Sequence, residues 1–262
     1  MFNPSQRSQR TKQIALLTIF TALYIVLRFI PFSILIGPTG GFLSLSDFLA
    51  PIIGILLGPY FGGLSVILGN FGAIGLGRPV TFYGLDFLPD FMATISTGFL
   101  YQNRRSRWAI VVAINAALLG LFLVNPITQI FISTIPFVWL HIVAFIVLLS
   151  PLSLMAAKWL QTVDKRKMVF GVAIFAFIGA MIQHLTGNIL FETVLAKPIG
   201  TIPIAAYPGI WTSVFLVYPI ERLILITAAT LIGTPLLYLL NKTPALKPQN
   251  IVIEQPKAKQ TQ

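Results

Sequence analysis

Polar side chains occur at helical spacing inside apolar stretches of this 262-residue chain. His184, Asn188 and Glu192 follow one another at intervals of four residues, so on a helix they form one stripe. Asp86 and Asp90 are one helical turn apart at the start of another apolar stretch. Such groups are costly in lipid and usually face protein or water. Their chemistry suits capture of a polar small molecule, and the alternative reading of the stripe is hydrogen bonding between membrane helices.

Further polar and aromatic residues are predicted at the same depth. Counting about 1.5 Å per residue from the basic end of each predicted helix places them in the outer half of a bundle. The inner half is almost entirely apolar, which favours an outward-open pocket that is sealed below. Aromatic rings at this level could stack on a flat ligand. Besides the stripe and the two aspartates, the predicted pocket residues are Arg28, Asn70, Tyr83, Trp211, Tyr218, Glu221 and Arg222.

Composition indicates an integral membrane protein and excludes several other classes. Hydrophobic residues make up 56% of the chain and charged residues 10%, far from the composition of soluble domains. The net charge of +11 does not indicate nucleic-acid binding, because the basic residues cluster where membrane helices must end. The absence of cysteine excludes disulfides and thiolate metal sites. The motifs GxxxxGK[ST], HExxH and GxSxG are absent, so we predict no catalytic residues, no metal site and no cofactor.

Prolines and basic clusters divide the apolar stretches into eight predicted helices, since a span needs about 20 apolar residues. Gly58-Pro59 divides the long run 42–77, because proline cannot continue a helix and restricts the residue before it. The expected fold class is therefore an all-α polytopic membrane helix bundle. It forms one transmembrane domain over residues 1–242, followed by a Pro-, Lys- and Gln-rich tail (243–262) that is predicted to be disordered and cytoplasmic. The predicted helices are Lys12–Ile30, Ser44–Leu57, Tyr60–Leu76, Leu85–Tyr101, Trp108–Val124, Pro136–Ala157, Met168–Phe191 and Gly209–Leu240.

The basic residues predict the orientation of these helices. With eight spans, four basic clusters lie on one side of the membrane, and only Arg78 and Lys197 lie outside the spans on the other. The positive-inside rule makes the basic side, with both termini, cytoplasmic in a cell membrane. The clusters are Arg7/Arg10/Lys12, Arg104/Arg105/Arg107, Lys158/Lys165/Arg166/Lys167 and Lys242/Lys247/Lys257/Lys259.

Three stretches together carry a family resemblance. The first predicted helix has a basic start followed by small residues one turn apart. Residues 44–63 combine an acidic loop exit at Asp47, a short helix, the turn Gly58-Pro59 and a glycine-rich helix. The last two helices include Pro219, with polar residues just after it. These features resemble the substrate-binding (S) component of energy-coupling factor (ECF) vitamin transporters. The likeness covers 10–101 and 167–241, which implies a six-helix core with an inserted hairpin at about 107–157.

The resemblance implies a function and a set of partners. An S component captures a vitamin or similar small molecule from outside, topples in the bilayer, and releases it inside with a transmembrane coupling subunit and two ATPase subunits. Ala15, Thr18 and Ala22 match the family's docking face on the first helix. The loop 31–43 matches the loop that gates the pocket, and Asp47 at its exit joins the predicted pocket residues.

Two other functions remain open at this point. Asp86 and Asp90 could hold magnesium in a membrane enzyme that acts on a diphosphate substrate, although a single DxxxD pattern has low specificity. A solitary transporter or membrane scaffold without ATPase partners is the third reading. Among ligands, the mixture of acids, Arg222 and aromatic residues suits a flat, polar heterocycle.

Overall fold

The computed structural model of the chain describes residues 4–34 and 42–243, with side chains for 11–33 and 42–243. The predicted tail beyond Thr243 and the centre of the predicted gating loop lie outside the described residues. The described part is an α-helical bundle with two short β-hairpins, which confirms the all-α membrane fold class. Its helices are α1 (Pro4–Arg28), α2 (Ser46–Gly75), α3 (Leu88–Tyr101), α4 (Arg105–Val124), α5 (Trp139–Leu149), α6 (Pro151–Trp159), α7 (Lys165–Val194) and α8 (Tyr207–Lys242).

The predicted break at Gly58-Pro59 is present and reverses the chain. Gly58 has φ 76° and ψ 178°, which interrupt α2. A straight helix of 30 residues would be about 45 Å long. Instead, the residues just before and just after α2 lie close together. Arg78, which follows α2, donates from Nη2 to the carbonyl oxygen of Phe42, which precedes α2, at 3.3 Å. The halves 46–57 and 59–75 are therefore antiparallel, as the second and third predicted helices require.

The predicted helix Pro136–Ala157 is wrong as a single element. It consists of α5 and α6, which bend by 71° at Ser150. Ser150 is extended (φ −74°, ψ 161°) because Pro151 disfavours a helical residue before it. The Ser150 hydroxyl then accepts a hydrogen bond from Leu152 N at 3.2 Å, which caps α6.

Length and apolar character support several membrane crossings. Within the described ranges, five helices are long and apolar enough to span if α2 is counted over its whole length despite its break at Gly58, and six if the bent pair α5–α6 counts as one span. The 14-residue α3 and the two halves of α2 are the shorter pieces. Helix α3 packs beside α2, and both α4 and α5 pack against α7.

Two short hairpins lie between helices. Strand β1 (Pro31–Ile34) pairs antiparallel with β2 (Phe42–Ser44) between α1 and α2. Strand β3 (Phe131–Ile132) pairs with β4 (Ile135–Pro136) between α4 and α5. Both hairpins join helices at the end of the bundle opposite the turns that carry the basic residues at 104–107 and 158–167. They therefore lie beside the region where polar residues were predicted.

Glycine allows α2 and α3 to pack closely. A Cβ on Gly98 of α3 would lie 2.5 Å from Pro59 N and 2.8 Å from the carbonyl carbon of Gly58. Both of these neighbours are backbone atoms at the turn of α2, so they cannot move aside as a flexible side chain would. The absence of a side chain at Gly98 thus permits the contact between the α2 turn and the end of α3.

We expect Gly98→Ala to destabilise the bundle. Overpacking of this kind costs about 1–3 kcal/mol, so the melting midpoint of the purified protein should fall by several degrees. Gly120→Ala in α4 is the matched control, because a Cβ there meets nothing within 4 Å and alanine favours helix. An equal melting midpoint for both variants would contradict the proposed close contact.

Candidate functional site

A cavity opens where α1, α2, α3, α7 and α8 converge. Its empty space is about 950 Å³, a figure that includes the part open to solvent. The cavity combines ionised side chains with an apolar wall. The predicted pocket residues that line it are Arg28, Asp47, Asp86, Asp90, His184, Asn188, Trp211, Glu221 and Arg222.

The cavity and the basic turns lie at opposite ends of the bundle. At the basic end, Arg107 Nη1 donates to the Tyr60 hydroxyl at 3.4 Å beside the turn of α2. Helix α7 begins there at Lys165, and His184 is about 28 Å further along its axis. The buried face of α7 between the two ends is apolar, with Met168, Val172, Phe175 and Ile178 fully buried.

Asp90 is the centre of a hydrogen-bond network that joins four helices. Tyr24 of α1 donates its hydroxyl hydrogen to Asp90 Oδ2, and Gln183 of α7 donates from Nε2 to Asp90 Oδ1. The other end of the Gln183 amide, Oε1, accepts from Arg222 Nη1 at 3.5 Å. All four side chains are buried, so the network holds α1, α3, α7 and α8 around the floor of the cavity.

Arg28 reaches the cavity from the end of α1. Its Nη2 donates to Asn70 Oδ1 at 2.6 Å, while its Nε has no acceptor among the described residues. Asn70 itself does not line the cavity; it lies behind Arg28 on the second half of α2 and positions the guanidinium.

Asp86 organises the loop between α2 and α3. It was predicted to lie inside a helix that begins at Leu85, but α3 begins at Leu88 and Asp86 precedes it. Its two oxygens accept from the backbone N–H groups of Thr81 and Phe82, at 2.8 and 3.1 Å. This folds the loop back over α3 and brings it to the cavity.

Arg78 enters the cavity from the same loop. Its guanidinium lies 4.7 Å from the centre of the Phe42 ring and donates from Nη2 to the Phe42 carbonyl. Burial, and then the neighbouring charge of Arg28, lower the pKa of Arg78. Two buried guanidiniums therefore lie close enough to repel each other at one side of the cavity.

Glu221 and Arg222 each contact residues on other elements, as their angular separation of about 100° on a helix predicts. Glu221 Oε1 accepts from the Ser33 hydroxyl of β1, which links α8 to the first hairpin. Arg222 contacts Gln183, yet its Nη2 is also 3.8 Å from Glu221 Oε2, a long ion pair that flexible side chains permit. On the opposite wall, Asp47 Oδ1 accepts from the hydroxyl of Ser44 at 3.4 Å.

A stack of rings supports one wall. The Tyr218 ring lies 4.8 Å from that of His184, whose Nδ1 is 3.1 Å from His141 Nε2. Tyr218 also donates its hydroxyl hydrogen to the Phe137 carbonyl at 3.0 Å. Phe137 in turn packs against Trp211 at 5.1 Å between ring centres. The segment 105–159 thus supports the cavity wall from behind.

Three further predicted pocket residues do not line the cavity. Tyr218 is behind His184, and Tyr83 is 65% exposed on the outside of the loop. Glu192 continues the stripe but is buried beyond the cavity, where it accepts from the Thr128 hydroxyl at 2.8 Å. Within the stripe, His184 and Asn188 therefore line the cavity, whereas Glu192 forms a hydrogen bond to another segment.

Gln183, Tyr24 and the position of Arg78 in the cavity were not predicted from the sequence. Gln183 is adjacent to His184 and therefore lay off the predicted stripe. Tyr24 is one turn before Arg28, a spacing that could have indicated a shared face. Arg78 was placed in an outer loop, and sequence alone gave no sign that the loop folds inward.

Two other predictions concern surfaces and metals. Ala15, Thr18 and Ala22 are exposed on α1, beside the exposed Ile19 and away from the cavity. No group of three or more His, Asp or Glu residues in the described part of the chain could hold a metal ion.

The chain is similar to a known protein family and to a curated protein. Residues 12–161 match the family described as the ECF transporter substrate-specific component. An uncharacterized protein of Methanocaldococcus jannaschii is 27% identical over 151 residues, which are 57% of this chain and 48% of that relative. The chain thus spans about half the length of this curated relative. No solved structure matches it. Because the family match covers more than half of the 262 residues, the chain belongs to the ECF transporter substrate-specific components.

Proposed function

We propose that this chain captures a vitamin-like small molecule from outside the cell, in the cavity between α1, α2, α3, α7 and α8. The observation that carries the proposal is a cavity lined by acidic and basic side chains at one end of an otherwise apolar bundle. Membership of the family already indicates a transporter component that works with a small-molecule substrate and other ECF components. The half of the cavity lining that α7 and α8 contribute lies beyond the matched residues, so the substrate is inferred from the cavity itself.

The charge distribution supports an outward-facing cavity. The described basic residues at 104–107 and 158–167 lie at the opposite end of the bundle, which the positive-inside rule makes cytoplasmic. The apolar buried face of α7 between these ends favours a pocket that is closed from inside. In the proposed cycle, a transmembrane coupling subunit and two ATPase subunits drive release of the ligand into the cytoplasm.

The magnesium-enzyme alternative finds no support in the positions of its two aspartates. Both oxygens of Asp86 accept backbone N–H groups, and both oxygens of Asp90 accept side-chain donors. Each of these oxygens is engaged by a donor of the protein, and among the described residues no third His, Asp or Glu joins the two aspartates in a possible metal site. Capture without turnover is therefore the function that the geometry favours.

Mass spectrometry of small molecules released from the gently purified protein tests this function. We expect one metabolite at a near-stoichiometric amount. Val214→Trp should abolish its retention, because Val214 lines the cavity and an indole there would fill it. Leu216→Trp is the matched control, since Leu216 lies on the same helix with 68% of its surface exposed. A protein that retains no metabolite and takes up none from a cell extract would contradict the proposal.

A further inference from the structure

The carboxylates of the cavity already accept hydrogen bonds from the protein. Asp86 and Asp90 have both oxygens engaged, as described above. Glu221 accepts from Ser33 on Oε1 and approaches Arg222 with Oε2. Asp47 accepts from Ser44 and Ser46 on Oδ1. Asp47 Oδ2 and Glu221 Oε2, which is 3.8 Å from Arg222 Nη2, have no hydrogen-bond donor among the described residues. Most carboxylate oxygens of the cavity therefore already have a donor within the protein.

Several hydrogen-bond donors of the cavity, by contrast, lack acceptors within the described part of the protein. Arg28 Nε, Arg78 Nη1, Arg222 Nε and Asn188 Nδ2 are buried and have no acceptor in the part of the chain that the structure describes. The four residues are between 2% and 7% exposed. Neither Arg28 nor Arg78 forms an ion pair with a described carboxylate; the long contact between Arg222 and Glu221 is the one such pair in the cavity. Buried donors without acceptors are costly, and those of a guanidinium especially so.

We propose that the cavity selects an organic anion, whose carboxylate or phosphate group binds between Arg28 and Arg78. This inference rests on the proposed function and narrows its substrate class. A planar acid or phosphate offers the acceptors that these guanidiniums lack, and charge-assisted bonds of this kind are the stronger ones in proteins. Asn188 and Arg222 then meet acceptors on the rest of the ligand.

Apolar side chains of the cavity account for the body of this anion. Phe191, Trp211, Val214 and Val217 line the cavity on α7 and α8, beside the charged Glu221 and Arg222, whereas Arg28 and Arg78 approach from α1 and the loop after α2. A ligand that matches this mixed lining has an anionic group and an apolar or aromatic portion.

The acidic side chains of the cavity already have contacts within the protein. Asp86 closes a loop, and Asp90 accepts from Tyr24 and Gln183 on two other helices. A cationic ligand would find Asp47 Oδ2 and Glu221 Oε2 but would leave the donors of Arg28 and Arg78 without acceptors.

The first measurement is the chemical class of any molecule retained by the full-length protein. A retained carboxylate or phosphate supports the inference. A retained neutral or cationic molecule overturns it and leaves the proposed capture function intact. If the protein is purified without a bound molecule, four probes that share one ring but differ in charge are used: benzoate, phenyl phosphate, benzamide and benzamidine. Binding is measured by equilibrium dialysis in detergent.

We expect benzoate or phenyl phosphate to bind at least tenfold more tightly than benzamide, and benzamidine to bind no better than benzamide. The tighter of the two anions identifies carboxylate or phosphate as the preferred group. Tightest binding by benzamidine, or equal binding of all four probes, would overturn the anion inference alone. No binding of any probe and no retained molecule would overturn both this inference and the proposed function.

Charge-removing variants locate the anion within the cavity. Arg28→Gln and Arg78→Gln should each weaken anion binding at least tenfold and weaken benzamide binding much less, while Arg78→Lys should retain part of the anion preference. Arg105→Gln is the control, because Arg105 is exposed at the other end of the bundle. Should Arg28→Gln fail to fold, Arg78→Gln still decides the question. Unchanged anion binding in Arg78→Gln would exclude this placement of the anion.

Discussion

Replacing Ala22 by Trp should abolish assembly with the other ECF components and leave ligand binding intact. Ala22 is exposed on α1, on the same face as Ala15 and Thr18. Small residues allow a partner helix to approach closely, and an indole at this position would hold it away. Because the side chain points away from the cavity and from the described core, the fold should tolerate the change.

The measurement is co-purification of ATPase subunits with a tagged chain, together with retention of the bound metabolite. Leu231→Trp on α8 is the matched control, since Leu231 is 70% exposed and lies on another helix. Undiminished co-purification of Ala22→Trp would exclude this face as the docking surface. Loss of the metabolite from Ala22→Trp would show instead that docking and capture do not use separate surfaces.

Asp90→Ala should cause the largest loss of stability among the cavity variants. The change removes the acceptor of two buried donors, the Tyr24 hydroxyl and Gln183 Nε2. A buried donor without an acceptor costs about 1–3 kcal/mol, so the two together lower the free energy of unfolding by about 3 kcal/mol or more. Gln183 would also no longer be held against Arg222, so the cavity should lose its bound metabolite.

Two comparisons separate this network effect from a general effect of removing a carboxylate. Asp90→Asn keeps an acceptor for Gln183 and offers an amide to Tyr24, whose hydroxyl can accept, so its melting midpoint should fall less than that of Asp90→Ala. Asp164→Ser is the control, because Asp164 is an exposed helix cap and serine caps equally well. A melting midpoint of Asp90→Ala equal to that of Asp164→Ser would refute the network.

The family match covers only part of the residues that form the cavity. The family match extends from α1 through α6, including the segment 107–157 that the resemblance treated as an inserted hairpin. Gln183, Asn188, Trp211 and Arg222 lie on α7 and α8, after the matched residues. Arg28 and Arg78 lie within the matched residues, but the family description states no ligand charge, so the inference about ligand charge depends on the contacts of these side chains in this chain.

Hydropathy and helix-breaking residues in the sequence determined the class of fold and most element positions. The break at Gly58-Pro59 was predictable because the backbone restrictions of proline and glycine act locally. The break at Ser150-Pro151 carried the same local signal and was overlooked inside an apolar run. The sequence also determined the end of the bundle at which the polar residues gather, because helix rise converts residue number into depth.

Only the tertiary structure decided which polar groups meet. Asp90 pairs with Tyr24 across 66 residues and with Gln183 across 93, and no local pattern encodes such pairings. The rotation of each helix about its axis places Tyr218 behind His184 rather than in the cavity. The folding of a loop by Asp86 brings Arg78 inside. The periodicity of a sequence shows which residues share a helix face. Which other residues that face contacts depends on the packing of all the helices together. The same packing determines which buried acceptors receive a hydrogen bond and which buried donors find no acceptor.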